Sequence, residues 1–201
     1  YTITDGNGSG LFAIDTGGNV TTTGELNFED GTSYALTVTA TDTGGLTDTA
    51  LVTVNVTNEN EAPSANHAAG SLAENGSGGD AVATVSASDP DADDSLSYAI
   101  TTGNDSGLFA IDTSGNVTTT AALDYESASQ HVFNVIVTDN GSLSDTATVT
   151  VEVTNVNEAP TANDNSGSVA ENLSEGQAVA TVTSSDLDAG DSVCYTITNG
   201  N

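Results

Sequence analysis

Carboxylates are the residues of this sequence that could do chemistry, and they come in short clusters: Glu74-Asn75, Asp89-Pro90-Asp91, Asp124-Tyr125-Glu126, Asp139 and Asn155-Val156-Asn157-Glu158. Related groups stand at Asn27-Phe28-Glu29, Asn58-Glu59-Asn60-Glu61 and Asp186-Leu187-Asp188. Nothing basic accompanies them, since 29 Asp and Glu residues face no lysine, no arginine and two histidines, for a formal charge of −29. So many like charges in a compact chain repel unless an external cation neutralises them, and a divalent metal is the obvious one. Glycosidase-type acid–base catalysis also uses paired carboxylates. Here they lack a Trp platform for sugar and a cationic or His partner, so the chain reads as no enzyme. The run Asp89 to Asp94 starts like an EF-hand loop, but Ile100 stands where the bidentate glutamate belongs and no helical pattern flanks it. His67 and His131 have no second His or Cys at ligand spacing and are expected to be structural.

The charge balance excludes other partners. Nucleic acid and anionic membrane surfaces are recognised mainly through Lys and Arg, which are absent. No run approaches the ~20 apolar residues of a spanning helix, so direct membrane insertion is not expected. The single cysteine, Cys194, cannot form an intramolecular disulfide.

The elements that must position the carboxylates are repeated. GLFAIDTGGNVTTT at 10–23 recurs as GLFAIDTSGNVTTT at 107–120, TNENEAPS at 57–64 as TNVNEAPT at 154–161, and SLAEN at 71–75 as SVAEN at 168–172, each offset by 97. Residues 1–58 laid on 98–155 without a gap give 35 identities in 58. A unit of 97 residues is domain-sized. Within it the apolar residues alternate with period two: Ala147, Val149, Val151 and Val153; Phe133, Val135 and Val137; Leu96, Tyr98 and Ile100; Ala81, Ala83, Val85 and Ala87. Turn-formers such as Asp-Pro, Gly-Asn and Asn-Gly separate these runs, and the tyrosines mostly fall in the core-facing pattern. About seven short strands per unit predict an all-β chain of tandem seven-stranded Greek-key sandwiches of the immunoglobulin-like kind.

With its acidic clusters in this order, the chain resembles the cadherin family. Cadherin repeats carry a Glu-Asn near the start, an Asp-x-Asp before the third strand, a Leu-Asp-x-Glu midway, an Asp before the last hairpin and an Asp-x-Asn-Asp-Asn-x-Pro linker. The corresponding residues here are Glu74-Asn75, Asp89-Pro90-Asp91, Leu123-Asp124-Tyr125-Glu126, Asp139 and Asn155 to Pro160. The Thr-, Asn- and Gly-rich composition, free of basic residues, is similar to the cadherin-like repeats of large exported bacterial surface proteins.

The resemblance implies calcium at the junctions between repeats, and calcium's six to eight loosely arranged oxygen ligands suit groups scattered along a chain. It assigns Glu74, Asp124, Glu126, Asn155, Asn157, Glu158, Asp186 and Asp188 to the second junction. To the first it assigns Glu29, Asn58, Asn60, Glu61, Asp89, Asp91 and Asp139, with Asn27 where the family prefers Asp. Two departures bear on affinity: each linker opens with Asn rather than Asp, and Glu61 and Glu158 replace an Asp. Two or three ions per junction are both compatible with that set.

The domain expectation is the C-terminal part of one repeat at 1–58, a complete repeat at 59–158 and the N-terminal part of the next at 159–201. The ends are expected to be half-domains of an excerpt from a longer array. The implied function is a calcium-rigidified extracellular spacer, adhesive stalk or surface filament on a bacterial cell, with other repeats or copies of itself as partners. Rival readings are a calcium-dependent module that binds surface polysaccharide and a fibre made by head-to-tail strand complementation.

Overall fold

The computed structural model describes residues 1–199, and every regular element among them is a β-strand. The first copy of the repeat forms β1 (Thr2–Asp5), β2 (Phe12–Ile14), β3 (Val20–Thr22), β4 (Ser33–Thr41) and β5 (Thr47–Asn55). The middle copy forms β6 (Ser64–Ala65), β7 (Ala68–Ala73), β8 (Ala81–Thr84), β9 (Ala87–Ser88), β10 (Ser97–Thr102), β11 (Phe109–Ile111), β12 (Asn116–Thr119), β13 (Gln130–Thr138) and β14 (Ser144–Thr154). The third contributes β15 (Thr161–Asn163) and β16 (Thr183–Ser185). The contacts gather into two compact units: residues 1–64 with 87–96 and 138–145, and residues 65–86 with 97–137 and 146 onward.

The second unit holds a seven-stranded sandwich. One sheet runs β10-β13-β14-β7 and the other β11-β12-β8. Period-two alternation buries one face of each long strand: Ala147, Val149, Val151 and Val153 on β14, and Phe133, Val135 and Val137 on β13, are all at most 4% exposed. Phe109 of β11 stacks on Phe133 at 4.8 Å between centroids, joining the two sheets, and His131 meets Phe109 edge-on at 5.4 Å. His131 is thus a packing residue. His67 accepts the Thr148 backbone N–H on Nδ1 at 2.8 Å.

Strands β7 and β14 pair in parallel, from Val149 opposite Ala68 to Thr154 opposite Ala73. Parallel strands cannot be joined by a tight hairpin. The chain between them therefore builds the rest of the sandwich, and both strands finish at the same edge.

In the first unit β1-β4-β5 form a sheet with β4 and β5 in unbroken register from Ser33 opposite Asn55 to Thr41 opposite Thr47, and β2-β3 form a hairpin. Leu36, fully buried, takes the place of Phe133, and Phe12 meets Tyr34 edge-on at 5.1 Å as Phe109 meets His131. Val52 and Val54 match the buried Val149 and Val151 yet are only half-buried, and Leu51 is 70% exposed. The difference follows from covering strands: counterparts of β7 and β8 do not lie over β5 among the described residues.

Two expectations need correction. Tyr1, Tyr125 and Tyr195 are exposed, and Tyr34 and Tyr98 are half-buried, so the alternation that puts tyrosines at core-facing positions does not bury them fully. The alternating run Ala81 to Ala87 is not one strand: β8 pairs with β12 and ends at Thr84, and β9 pairs instead with β6. Between them Val85 donates its N–H to Gly115 and points into the core.

The repeated IDTxGNV motif is structural. The Asp112 carboxylate accepts the N–H groups of Ser114 and Asn116 and the Asn116 side-chain amide, at 2.8 to 2.9 Å, closing the β11-β12 hairpin. Asp15 does the same with Gly17 and Asn19.

Candidate metal centres at the repeat junctions

The parallel register of β7 and β14 sets up the second junction. It leaves Glu74 and Asn155 as the next residues of neighbouring strands, and the Glu74 N–H donates to the Thr154 carbonyl at 3.1 Å. Glu74 is 3% exposed, its Oε2 accepting the Tyr125 N–H at 2.6 Å and its Oε1 the Val156 N–H at 2.7 Å. One carboxylate thereby ties the 124–126 turn to the linker that follows β14. The linker is tied onward: the Glu158 N–H donates to Asp188 Oδ2 at 2.7 Å, and Asn75 donates to Glu158 Oε1 at 2.5 Å.

These ties bring carboxylates together from segments far apart in sequence. Oxygens of Glu74, Asp124 and Glu126 lie within 4.8 Å of one another, as do those of Glu126, Glu158 and Asp188 and those of Asp186, Asp188 and Asp191. Glu126 and Asp188 each belong to two groups, so the three groups form a chain.

The first junction repeats the pattern with residues of its own unit. Glu29, Glu61 and Asp91 converge within 4.8 Å, and so do Asp89, Asp91 and Asp94, with Asp91 shared. The Glu61 N–H donates to Asp91 Oδ2 at 3.0 Å, matching Glu158 on Asp188. Asn58 donates to Asp91 Oδ1 at 2.6 Å, and Asn60 to Asp139 Oδ2 at 2.8 Å. A pocket of about 450 Å³ lined by Phe28, Glu29, Asn58, Asn60 and Asp91 lies beside these groups.

Electrostatics follow from the crowding. Loss of hydration and the nearby charges of Glu29 and Asp91 raise the Glu61 pKa. Glu126 is raised likewise, by loss of hydration and then by Glu74 and Glu158. Asp91 is held low by the Asn58 amide and then the Glu61 N–H, and Asp124 by the N–H and hydroxyl of Ser127. Three carboxylate oxygens, Asp89 Oδ2, Asp94 Oδ2 and Glu158 Oε2, are buried without a hydrogen-bond partner among the described residues. A buried carboxylate oxygen without a donor is costly unless a cation meets it.

The cadherin domain family matches residues 1–57 and 68–154. This chain belongs to the cadherin family. It is 35% identical to Protocadherin Fat 4 of Mus musculus over 98% of its own length and 4% of that protein's. It is 34% identical to the protocadherin-like wing polarity protein stan of Drosophila melanogaster, over 94% of this chain and 6% of that one. Among solved structures, human CDH23 EC21-23 superposes with a TM-score of 0.70 at 26% identity, covering 90% of this chain and 62% of that chain. The protocadherin gammaB7 EC3-6 cis-dimer superposes with a TM-score of 0.67 at 25% identity, covering 94% and 51%. The cadherin chain thus spans about one-twentieth of the curated relatives it matches. The family is not one of enzymes, and its domains in general bind calcium.

Against that family pattern, the structure brings together Glu29, Glu61, Asp89 and Asp91 at the first junction, and Glu74, Asp124, Glu126, Glu158, Asp186 and Asp188 at the second. Asn155 lines a pocket with Glu126, and Asn58 touches Asp91. Asp139 stands outside the three-carboxylate groups: its Oδ1 accepts the Leu143 N–H at 2.8 Å and its Oδ2 the Asn60 amide. Asn157 donates to the Glu158 carbonyl, as Asn60 does to that of Glu61, and Asn27 accepts the Glu29 N–H. The structure adds Asp94 and Asp191, which the cadherin motif omits. Their identical offset of 97 was the available signal. The donor set is all oxygen, and orphaned oxygens sit in both junctions, so the residues fit a hard cation.

Proposed function

We propose that this chain is a calcium-rigidified stretch of a cadherin-repeat array, working outside the cell as a stiff spacer or adhesive stalk. The observation that carries the proposal is the convergence of Glu126, Glu158 and Asp188, from a turn, a linker and the repeat beyond it, with Glu158 Oε2 buried and unpartnered. Without a cation such a junction has three like charges and no basic residue to offset them. A calcium ion there would draw the three segments into one body.

In this reading Glu74, Asp124, Glu126, Asn155, Asn157, Glu158, Asp186 and Asp188 supply oxygens at the second junction, and Glu29, Asn58, Asn60, Glu61, Asp89, Asp91 and Asp139 at the first. The repeats divide as 1–58, 59–158 and 159–201. Partners are further repeats or other copies of the chain, by analogy with the gammaB7 cis-dimer. The Thr-, Asn- and Gly-rich composition without basic residues supports an exported bacterial surface protein as the parent. The similarity to animal protocadherins supports the adhesive role.

Small-angle scattering and thermal melts in EDTA, in millimolar magnesium and in millimolar calcium test the proposal. Calcium, not magnesium, is expected to extend and stiffen the particle and to raise its melting temperature. Saturation at a hundred times Kd stabilises by about 2.7 kcal/mol per site. Equal dimensions and melting temperatures in all three buffers would refute it.

A further inference from the structure

An asparagine side chain deamidates most readily when glycine follows it, because the attacking glycine nitrogen has no side chain beside it to block the approach. Asn-Gly occurs here at Asn7-Gly8, Asn75-Gly76, Asn140-Gly141 and Asn199-Gly200, the last of which runs beyond the described residues. The other three differ in how the asparagine is held. Asn7 is bound through both ends of its amide, donating to the Phe12 carbonyl at 2.7 Å and accepting the Phe12 N–H at 3.0 Å. Asn140 is also bound at both, its Oδ1 accepting the Ser95 hydroxyl at 2.8 Å and its Nδ2 reaching Asp94 Oδ1 at 3.4 Å.

Asn75 is held by Nδ2 alone, on Glu158 Oε1 at 2.5 Å. It is exposed and sits just past β7 in left-handed backbone, at φ +60°. Its own N–H is fixed on the Leu123 carbonyl at 3.1 Å, but the Gly76 N–H finds no acceptor among the described residues. Turning the Gly76 nitrogen toward the Asn75 side chain therefore breaks no hydrogen bond of the glycine.

We propose that Asn75 is a spontaneous modification site, whose deamidation turns the tie between β7 and the second linker into a repulsion. The Gly76 nitrogen attacks Asn75 Cγ, and the new N–Cγ bond closes a cyclic imide as the Cγ–Nδ2 bond breaks. Ammonia leaves with the proton that the glycine nitrogen gives up. Water then opens the imide at either carbonyl, giving aspartate or isoaspartate. Water is the only co-reactant, and the step requires no calcium at the junctions.

The consequence falls on Glu158. Its Oε2 is already buried without a partner, and the conversion takes from Oε1 the Asn75 donor and sets a carboxylate in its place. Like charges then face each other at hydrogen-bond range, with no basic side chain in the chain to offset them. Isoaspartate also adds a main-chain carbon directly after Glu74, the residue that clamps the linker.

The third copy holds an internal control. Asn172, offset by 97, is likewise exposed and left-handed, at φ +63°, but Leu173 follows it and crowds the attacking nitrogen. The full chain is aged at pH 8.5 and 37 °C in EDTA and mapped by peptide mass spectrometry, with isoaspartate detected by enzymatic methylation. Asn75 is expected to convert before Asn7 and Asn140 and at least tenfold faster than Asn172. Gly76→Ala, whose Cβ would meet the mobile end of Asp80 at 2.7 Å, is expected to slow Asn75 at least fivefold in a chain that circular dichroism shows to be folded. Conversion of Asn75 within twofold of Asn172, or later than Asn7 or Asn140, would overturn the site. Asn75→Asp stands for the aspartate product. In EDTA it is expected to melt below wild type, with Glu158→Gln beside it recovering part of the loss. An Asn75→Asp chain that melts with wild type would overturn the repulsion.

Discussion

Removing the Glu74 carboxylate separates two roles that one residue fills. Glu74 is almost fully buried and accepts two backbone N–H groups, from Tyr125 at 2.6 Å and Val156 at 2.7 Å. Glu74→Ala leaves both amides without their acceptor. A buried amide stripped of its partner costs about 1–3 kcal/mol. Both of these lie near the surface, where water recovers part of the loss, so about 2–4 kcal/mol is expected with no calcium present. For a domain of this size that lowers the melting temperature by roughly 10–20 °C. Glu74→Gln keeps one acceptor oxygen and is expected to cost about half as much. Hydrogen exchange gives the local reading: in EDTA the Tyr125 and Val156 amides should exchange faster in Glu74→Ala than in wild type, while the Val149 and Val151 amides in the β14 core respond only to the global change. In millimolar calcium the gap in melting temperature between wild type and either variant should widen, since a ligand is lost as well. A Glu74→Ala chain that melts within 2–3 °C of wild type in EDTA, with unchanged exchange at Tyr125 and Val156, would refute the clamp.

Acid should act in two opposite steps when calcium is chelated. Glu61 and Glu126 have pKa values raised above the ordinary 4.5, so their charged forms burden the folded state and stability rises as pH falls toward 4.5 through those raised values. Asp15, Asp91, Asp112 and Asp124 lie below the ordinary 3.8, so the stability they supply is present above 3.8 and lost below it. Melting curves in EDTA from pH 7 to pH 2.5 should therefore show a maximum in the acid range, and a monotonic fall would contradict the crowding described for the junctions. Gly115 has φ of +80° and a Cβ there would collide with the Val85 carbonyl oxygen, whereas at Gly18, φ +84°, the nearest atoms are the Tyr1 ring at 3.5 Å. Both alanine variants pay for the left-handed backbone, but Gly115→Ala should cost at least 1 kcal/mol more than Gly18→Ala in denaturant melts.

The strands were legible because the chain alternates without ambiguity where both faces have a definite fate. Ala147 to Val153 and Phe133 to Val137 read as strands from the residues alone and are buried as the alternation requires. The run from Ala81 to Ala87 misled because periodicity records which side chains face inward, not which neighbour the backbone pairs with. Val85 faces inward while its strand changes partner. The parallel pairing of β7 with β14 was equally out of reach, since nothing local in Ala68 to Ala73 marks a partner more than seventy residues away. Asp94 lies inside a run that fails as an EF-hand and outside the family motif, so no sequence motif marks it, although its carboxylate converges with those of Asp89 and Asp91.

The two junctions together show why this composition and this fold go together. A protein with 29 carboxylates and no basic side chain has no internal way to close a surface of like charges. Its backbone amides answer part of the need: Glu74, Asp91 and Asp188 each accept N–H groups from the linkers, which places them without neutralising them. The unanswered part is concentrated in Asp89, Asp94 and Glu158, each of which keeps one buried oxygen without a donor among the described residues. These hydrogen bonds form in the structure without an ion, so part of the entropy of assembling the carboxylates is met by folding. Cation binding then adds what the amides cannot supply, opposite charge. Ligands gathered in advance by folding would raise the affinity for a cation, because binding it then costs little further ordering.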